Sequence, residues 1–251
     1  YAGDKVNALK AAHQLLTDEN VAKHFPAVDP NKLLANQRTP DRVFSTEVLM
    51  GFYDKARADI YTYYFDDETA GNNFLQPKAN FVLSSLFGNE SQDYRYQTHW
   101  RAATSVGVQG DIFIKYKKID KPKDEKNPDK PDENLEYFHA VLMPLIRLSE
   151  VYYIAAECAE EPETRFGYLN EVRRHRFIPI LDSRDPQIDL ENEIYKEYAK
   201  DFLGEGQLFF YMKRKGMTSF TGVNGVEIRE TGDPVYQVPV PDMEKEFGNI
   251  I

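Results

Sequence analysis

Residues 90–101 read Glu90-Ser-Gln-Asp-Tyr-Arg-Tyr-Gln-Thr-His-Trp-Arg101, which sets flat aromatic rings among amides and charged groups. That mixture suits sugar chemistry. A sugar ring presents apolar C–H faces on which aromatics stack, while neighbouring amides and charges bond its hydroxyls. Trp100 is the only tryptophan in the chain. If the segment is extended, Tyr94 and Tyr96 share one side. Gln92, Asp93, Arg95 and Arg101 then offer polar partners. Phe74, with Asn72, Asn73 and Gln76, forms a second group of the same kind. The ligand-binding candidates are therefore Trp100, Tyr94, Tyr96, Arg95, Arg101 and Phe74. The competing role for Trp100 is to anchor a small local core beneath the loops.

Other chemistries find little support. His13, His24, His99, His139 and His175 include no H-x-H or H-x-x-x-H pair, and Cys158 is the only cysteine, so no zinc site is expected. No EF-hand loop occurs, although calcium held by loop carboxylates and carbonyls leaves little trace in a sequence. There is no glycine-rich phosphate cradle and no G-x-S-x-G nucleophile elbow. Gly204-Glu-Gly206 places a carboxylate between its glycines, which repels phosphate and reads as a helix break with a sharp turn. Glycoside hydrolysis needs two acids across a sugar ring. With 41 acidic residues some pair always looks suitable, so pairing alone decides nothing. The densest groups, Asp66-Asp67-Glu68 and Glu157/Glu160/Glu161, read as a solvated turn and a solvated helix end. No catalytic residue, metal or cofactor is assigned.

The elements that must position these residues are mainly helical. Leu145, Leu148, Val151, Tyr152, Ala155 and Cys158 recur at helical spacing, with Pro144 as the first helical residue, predicting a helix over 144–159. A second helix over 163–176 follows the short break Glu161-Pro-Glu-Thr164. Small Ala155, Ala156 and Ala159 allow close backbone approach, as in the antiparallel pairs that repeat proteins stack. Arg147 and Glu150 are spaced to pair on one face, though Arg147 also reaches towards a neighbouring helix. Asn170 and Arg173 share that spacing. All four read as scaffold residues that lock the pair through buried hydrogen bonds. Cys158 reads as a small buried hydrophobe. Further helices are expected over 4–22, 189–203 and 205–215, with a short one at 30–35. The aromatic run Leu208-Phe-Phe-Tyr211 reads as core.

Residues 46–53 fit strand or helix, and 111–117 fit a strand. Residues 117–136 are nearly all charge with three prolines, a solvated loop of mixed sign. The organisation expected is a repeat helix at 1–22, a loop-rich lobe with a few short strands at 23–140, a helical-repeat (TPR-like) scaffold at 141–216, and an irregular segment at 217–251. The fold class is mainly α.

At net −10 the chain is a poor fit to nucleic acid, which is bound through phosphate neutralisation. Mean hydropathy is −0.59, and no run approaches the about 18 apolar residues of a membrane helix.

The wording of the helix pair carries more. Arg147-Leu-Ser-Glu-Val-Tyr-Tyr-Ile-Ala-Ala-Glu-Cys-Ala159, followed by Tyr168-Leu-Asn-Glu-Val-Arg-Arg-His-Arg176, closely resembles the C-terminal signature of the SusD/RagB family. Three more segments agree: Asp201-Phe-Leu-Gly-Glu-Gly-Gln-Leu-Phe-Phe-Tyr-Met-Lys-Arg214, Tyr236-Gln-Val-Pro-Val-Pro-Asp-Met-Glu244, and Tyr1-Ala-Gly-Asp-Lys-Val-Asn-Ala-Leu9. The resemblance is clear over about 1–22 and 140–251. Where the family commonly has arginine after Gly-Glu-Gly the chain has Gln207, and where aspartate is common in the next turn it has Phe210 and Tyr211.

The resemblance implies a SusD-like fold and a non-catalytic surface lipoprotein. Such a protein binds a glycan or another nutrient and delivers it to a SusC-like TonB-dependent β-barrel transporter. Its place would be the cell-surface face of the outer membrane, held by a lipid anchor outside this chain. Tyr1-Ala-Gly3 reads as the end of a helix, with Asp4 capping the next. Val6, Leu9, Ala12 and Leu16 form a stripe that needs a partner helix, so a preceding portion is expected. The alternatives are a helical-repeat adaptor for protein or peptide and, more remotely, a glycoside hydrolase.

Overall fold

The computed structural model describes residues 3–29, 31, 39–68, 74–78, 81–120, 123, 124, 126, 127, 130, 138–221, 227–229 and 236. The chain opens with α1 (Lys5–Leu16), capped by the Asp4 carboxylate on the Asn7 amide at 3.0 Å. The single helix expected over 4–22 is two. Thr17 ends α1, with its hydroxyl turned back to the His13 carbonyl at 2.8 Å. Asp18 then caps α2 (Glu19–His24). A cap-forming residue in mid-pattern competes with the helix backbone and wins here.

Val48–Tyr53 forms strand β1, and Arg57–Phe65 forms α3. A π-helical turn covers Val82–Leu86. Tyr94–His99 is a short helix, α4, capped by Asp93. It runs directly into β2 (Trp100–Ala102), which pairs antiparallel with β3 (Asp111–Phe113). The strand at 111 is thus shorter than its sequence pattern.

The largest correction concerns Pro144. It does not start a helix. It lies in β4 (Leu142–Arg147), opposite Gly51 of β1. A two-stranded sheet places both strands at an edge, where the missing proline N–H does no harm. Helix α5 therefore begins only at Leu148 and ends at Cys158, with Arg147 in extended backbone before it.

The remaining helices follow the sequence pattern. They are α6 (Pro162–His175), α7 (Leu190–Phe202, capped by Asp189) and α8 (Gln207–Lys215). A hairpin of β5 (Ser219–Thr221) and β6 (Glu227–Arg229) follows. The short helix expected at 30–35, most of the charged loop at 117–136, Asn72, Asn73 and most of the last segment lie outside the described residues.

Helix α1 packs on α5, α5 on α6 and α7, and α7 on α8. One core lies among these helices, around Tyr153, Ala156, Leu169, Ile194, Tyr198 and Phe202. A second lies in the lobe, around Tyr61, Phe87, Trp100, Phe113, Tyr116 and Leu142. Cys158 is half-buried rather than buried. The aromatic run of α8 is divided: Tyr211 is buried with the helical core, while Phe209 and Phe210 are exposed. Among the described residues no helix is long and apolar enough to cross a membrane.

Candidate functional site

A buried ionic network joins the lobe to the scaffold, and Asp201 near the end of α7 is its centre. Its carboxylate accepts the Tyr153 hydroxyl at 2.5 Å and Arg176 Nε at 3.4 Å. Its main-chain carbonyl accepts Lys115 Nζ at 2.9 Å and Arg147 Nη2 at 2.5 Å. One turn earlier, Glu197 accepts Arg95 Nη2 and Arg173 Nη1, both at 2.6 Å, and Lys200 Nζ at 3.1 Å. Arg176 makes a two-pronged bond to Glu47 at 2.7 Å on each prong. Glu205, between the two glycines, pairs with Lys115 and with Arg147 Nη2 at 3.0 Å.

These charges set one another's ionisation. Burial opposes ionisation of Glu197, yet Arg95, Lys200 and Arg173 outweigh it and hold its pKa at about 2. Burial likewise opposes Asp201, and the surrounding arginines hold it well below the usual carboxylate range. Burial lowers Lys115 to about 8 in spite of Glu205. Burial, reinforced by the Lys115 and Arg147 cations and only partly opposed by Asp201, pushes the His99 pKa well below its ordinary value.

The network fixes where Trp100 sits. Helix α4 is anchored by Arg95, and β2 starts one residue after it ends. The Trp100 ring therefore turns inward against its strand partner Phe113, with centroids 5.1 Å apart. Two cavities open beside it, between the lobe and α7. One, of about 210 Å³, is walled by Phe81, Leu86, Tyr195 and Leu208, with Ser85 and Asn192 at its edge. The other, of about 260 Å³, is walled by Phe65, Leu75, Phe113 and Gly204, with Gln76. Pro77, Trp100 and Leu203 line both. A larger groove, of about 790 Å³, lies along α1, where Val6 and Leu9 face Tyr168 and a wall of charge that includes Glu157 and Glu161.

The predicted ligand residues are dispersed. Trp100 is 7% exposed and belongs to the lobe core as well as to the cleft. Because 94–99 is helical, Tyr94 and Tyr96 are about 200° apart rather than on one side. Tyr94 is buried and stacks on Phe177, with centroids 5.6 Å apart. Tyr96 packs on Phe87 and donates to Asp111 at 3.1 Å. Arg95 is 0% exposed, between Asp93 and Glu197. Arg101 pairs with Asp67 and, at 3.3 Å, with Glu68, and Phe74 is half-buried.

Among the scaffold residues, Arg147 passes over Glu150 and reaches α7, while Glu150 accepts the Tyr198 hydroxyl at 3.2 Å. The Asn170 amide clasps the main chain of Leu181 at 2.8 and 2.9 Å, and Arg173 bonds the Pro179 carbonyl at 2.7 Å. Sequence reasoning missed Tyr195, Asn192, Leu203 and Pro77. These become neighbours of Trp100 only through tertiary packing, and no local pattern marks them. An exposed pair, Tyr63 and Tyr64 on α3, set edge-to-face with centroids 4.7 Å apart, was also outside the predicted set.

The architecture is that of a helical-repeat scaffold carrying a lobe of short strands and helices. Residues 125–233 match the model of the SusD family. No curated protein matches the sequence. Among solved structures the chain is similar to a SusD superfamily protein from Bacteroides vulgatus, at 19% identity and TM-score 0.57, over 90% of this chain and 48% of that one. It is similar to a SusD homolog from Bacteroides thetaiotaomicron at 14% identity and TM-score 0.58, over 85% and 46%. It is also similar to surface glycan-binding protein A from Bacteroides thetaiotaomicron in complex with laminarihexaose, at 14% identity and TM-score 0.55, over 98% and 58%. The chain thus spans about half the length of these relatives, and at such identities the likeness is one of fold. Residues 125–233 thus match the SusD family, and the chain shares the fold of these SusD-like structures.

Proposed function

We propose that this chain belongs to a non-catalytic surface protein that binds a glycan and passes it to a SusC-like TonB-dependent transporter. The observation that carries this reading is the match of residues 125–233 to the SusD family, on a fold shared with a protein solved in complex with laminarihexaose. The site chemistry agrees with it. The Trp100 cleft is walled by aromatic and aliphatic groups, with a few hydrogen-bonding side chains at its edge, the composition that small-molecule pockets favour. A lipid anchor outside this chain would hold the protein at the outer-membrane surface. The rigid helical body would then face the barrel, and the lobe would supply the ligand face.

Calorimetry and affinity electrophoresis against a panel of plant, host and microbial polysaccharides test the binding step. The reading expects retention by at least one neutral glycan, without release of reducing ends. Binding of peptides and no glycan would replace it with the adaptor. Steady release of reducing ends, abolished by one carboxylate substitution, would replace it with the hydrolase.

A further inference from the structure

We infer that Lys115 and Glu205 are positioning residues of the Trp100 cleft, a latch that holds its two walls together, so that the cleft opens when the pair is broken. Its use in binding rests on the glycan reading above. Closure of the walls does not depend on any ligand. Three observations point to the latch.

The first is position. Phe113 is the lobe wall of the second cavity, and Leu203 and Gly204 are its scaffold wall. Lys115 follows Phe113 by two residues, and Glu205 follows Gly204 directly. Lys115 Nζ donates to the Glu205 carboxylate and, at 2.9 Å, to the Asp201 main-chain carbonyl. The second is a turn able to swing. Gly204 and Gly206, on either side of Glu205, have φ of +77° and +88°. Glycine moves between left-handed and ordinary backbone at little cost.

The third is that the latch is poorly backed. Both side chains are within 1% of complete burial, yet Glu205 Oε2 has no hydrogen-bond partner among the described residues. The Tyr116 hydroxyl and His99 Nε2 have none either. A partly satisfied buried network is where a structure yields first. Once Lys115 is neutral, Arg147 at 3.0 Å is the cation left against Glu205. Hydration of the carboxylate then favours a turn swung out to water.

The charge on Lys115 is lost before the fold is. Burial lowers its pKa from 10.5 to about 8, against the pull of Glu205. Between those two values the unfolded chain binds more protons, so this titration raises global stability and the release is local. The groups facing Lys115 are Glu205, Arg147, Asp201 and His99, with Tyr116 beside it and Arg57 over the Tyr116 ring at 5.1 Å. Burial pushes His99 well down and Tyr116 well up, and the arginines hold Asp201 well down. None of those three changes charge where Lys115 does.

Trp100 is the only tryptophan, so its fluorescence reads the cleft. The test follows acrylamide quenching of the intact, ligand-free protein from about pH 7 to about pH 9.5, with circular dichroism at each point. Quenching should rise with a midpoint at about pH 8 while the dichroism stays constant. Lys115→Met, which carries no charge, should be open across the range. Lys115→Arg, which keeps its charge, should stay closed across it. A residue that merely filled space would give the same defect in both variants.

Flat quenching in the parent protein overturns the latch whether or not the variants fold, and so does a titration that survives in Lys115→Met. A glycan retained in the panel above should bind more weakly above the midpoint than below it, and equal affinity on both sides would remove the positioning role. Quenching that titrates in a protein that retains no glycan would keep the latch and remove the glycan reading.

Discussion

Arg147 and Asp201 meet across 54 positions of sequence, where the Arg147 guanidinium donates to the Asp201 main-chain carbonyl at 2.5 Å. Arg147 has Asp201 and Glu205 for partners, and all three side chains are within 1% of complete burial. Removing one member of such a group leaves the others charged and uncompensated, at about 3–5 kcal/mol. Arg147→Ala should therefore lower stability by that order in urea unfolding, while the folded fraction keeps its glycan affinity in calorimetry. An Arg147→Ala protein that melts normally and has lost its ligand would make Arg147 a binding residue. The sequence allowed Arg147, Asn170 and Arg173 to be read as buried locks, because polar groups on the apolar side of a helix pair need partners. It could not name those partners. An ion pair between distant residues has no local spacing to betray it, so nothing in the sequence separates Glu197, Asp201 and Glu205 from other acids on and after α7.

Between α7 and α8 the Gly204-Glu205-Gly206 turn was legible, since two glycines bracketing one residue break a helix. Its tertiary role was not. Gly204 has φ +77°, and a Cβ there would sit 3.1 Å from the Phe113 ring and 3.4 Å from Tyr116. Gly204→Ala should cost at least about 1–2 kcal/mol for the left-handed backbone. It should also push on the Phe113 wall of the second cavity, so it should shift the emission of Trp100 as well as lower the melting temperature. Unchanged melting and unchanged emission would show that the turn is not held in this conformation. The elements misjudged were the short ones. Tyr94–His99 is six residues, too few for periodicity to separate helix from strand. Pro144 carries a helix-start signal and an edge-strand tolerance at once, and pairing with β1 decided between them.

Across the whole molecule, the helical scaffold was readable because its pattern repeats over several turns and its wording resembles one family. The cleft was not readable. Its two walls come from a lobe around residues 65–113 and a helix near residue 200, and only folding brings them together. Trp100 was singled out for its chemistry, and it proves to be both the anchor of the lobe core and a wall of the cleft. The proposed handover of ligand belongs to the whole protein, and this chain spans about half the length of its solved relatives. The most direct measurement is therefore to isolate the native protein from mildly solubilised membranes and identify its partner by mass spectrometry. The account predicts a large TonB-dependent β-barrel as the dominant companion. Recovery of soluble proteins alone, or of no partner across several detergents, would contradict the transporter role and leave a shared fold serving some other binding task.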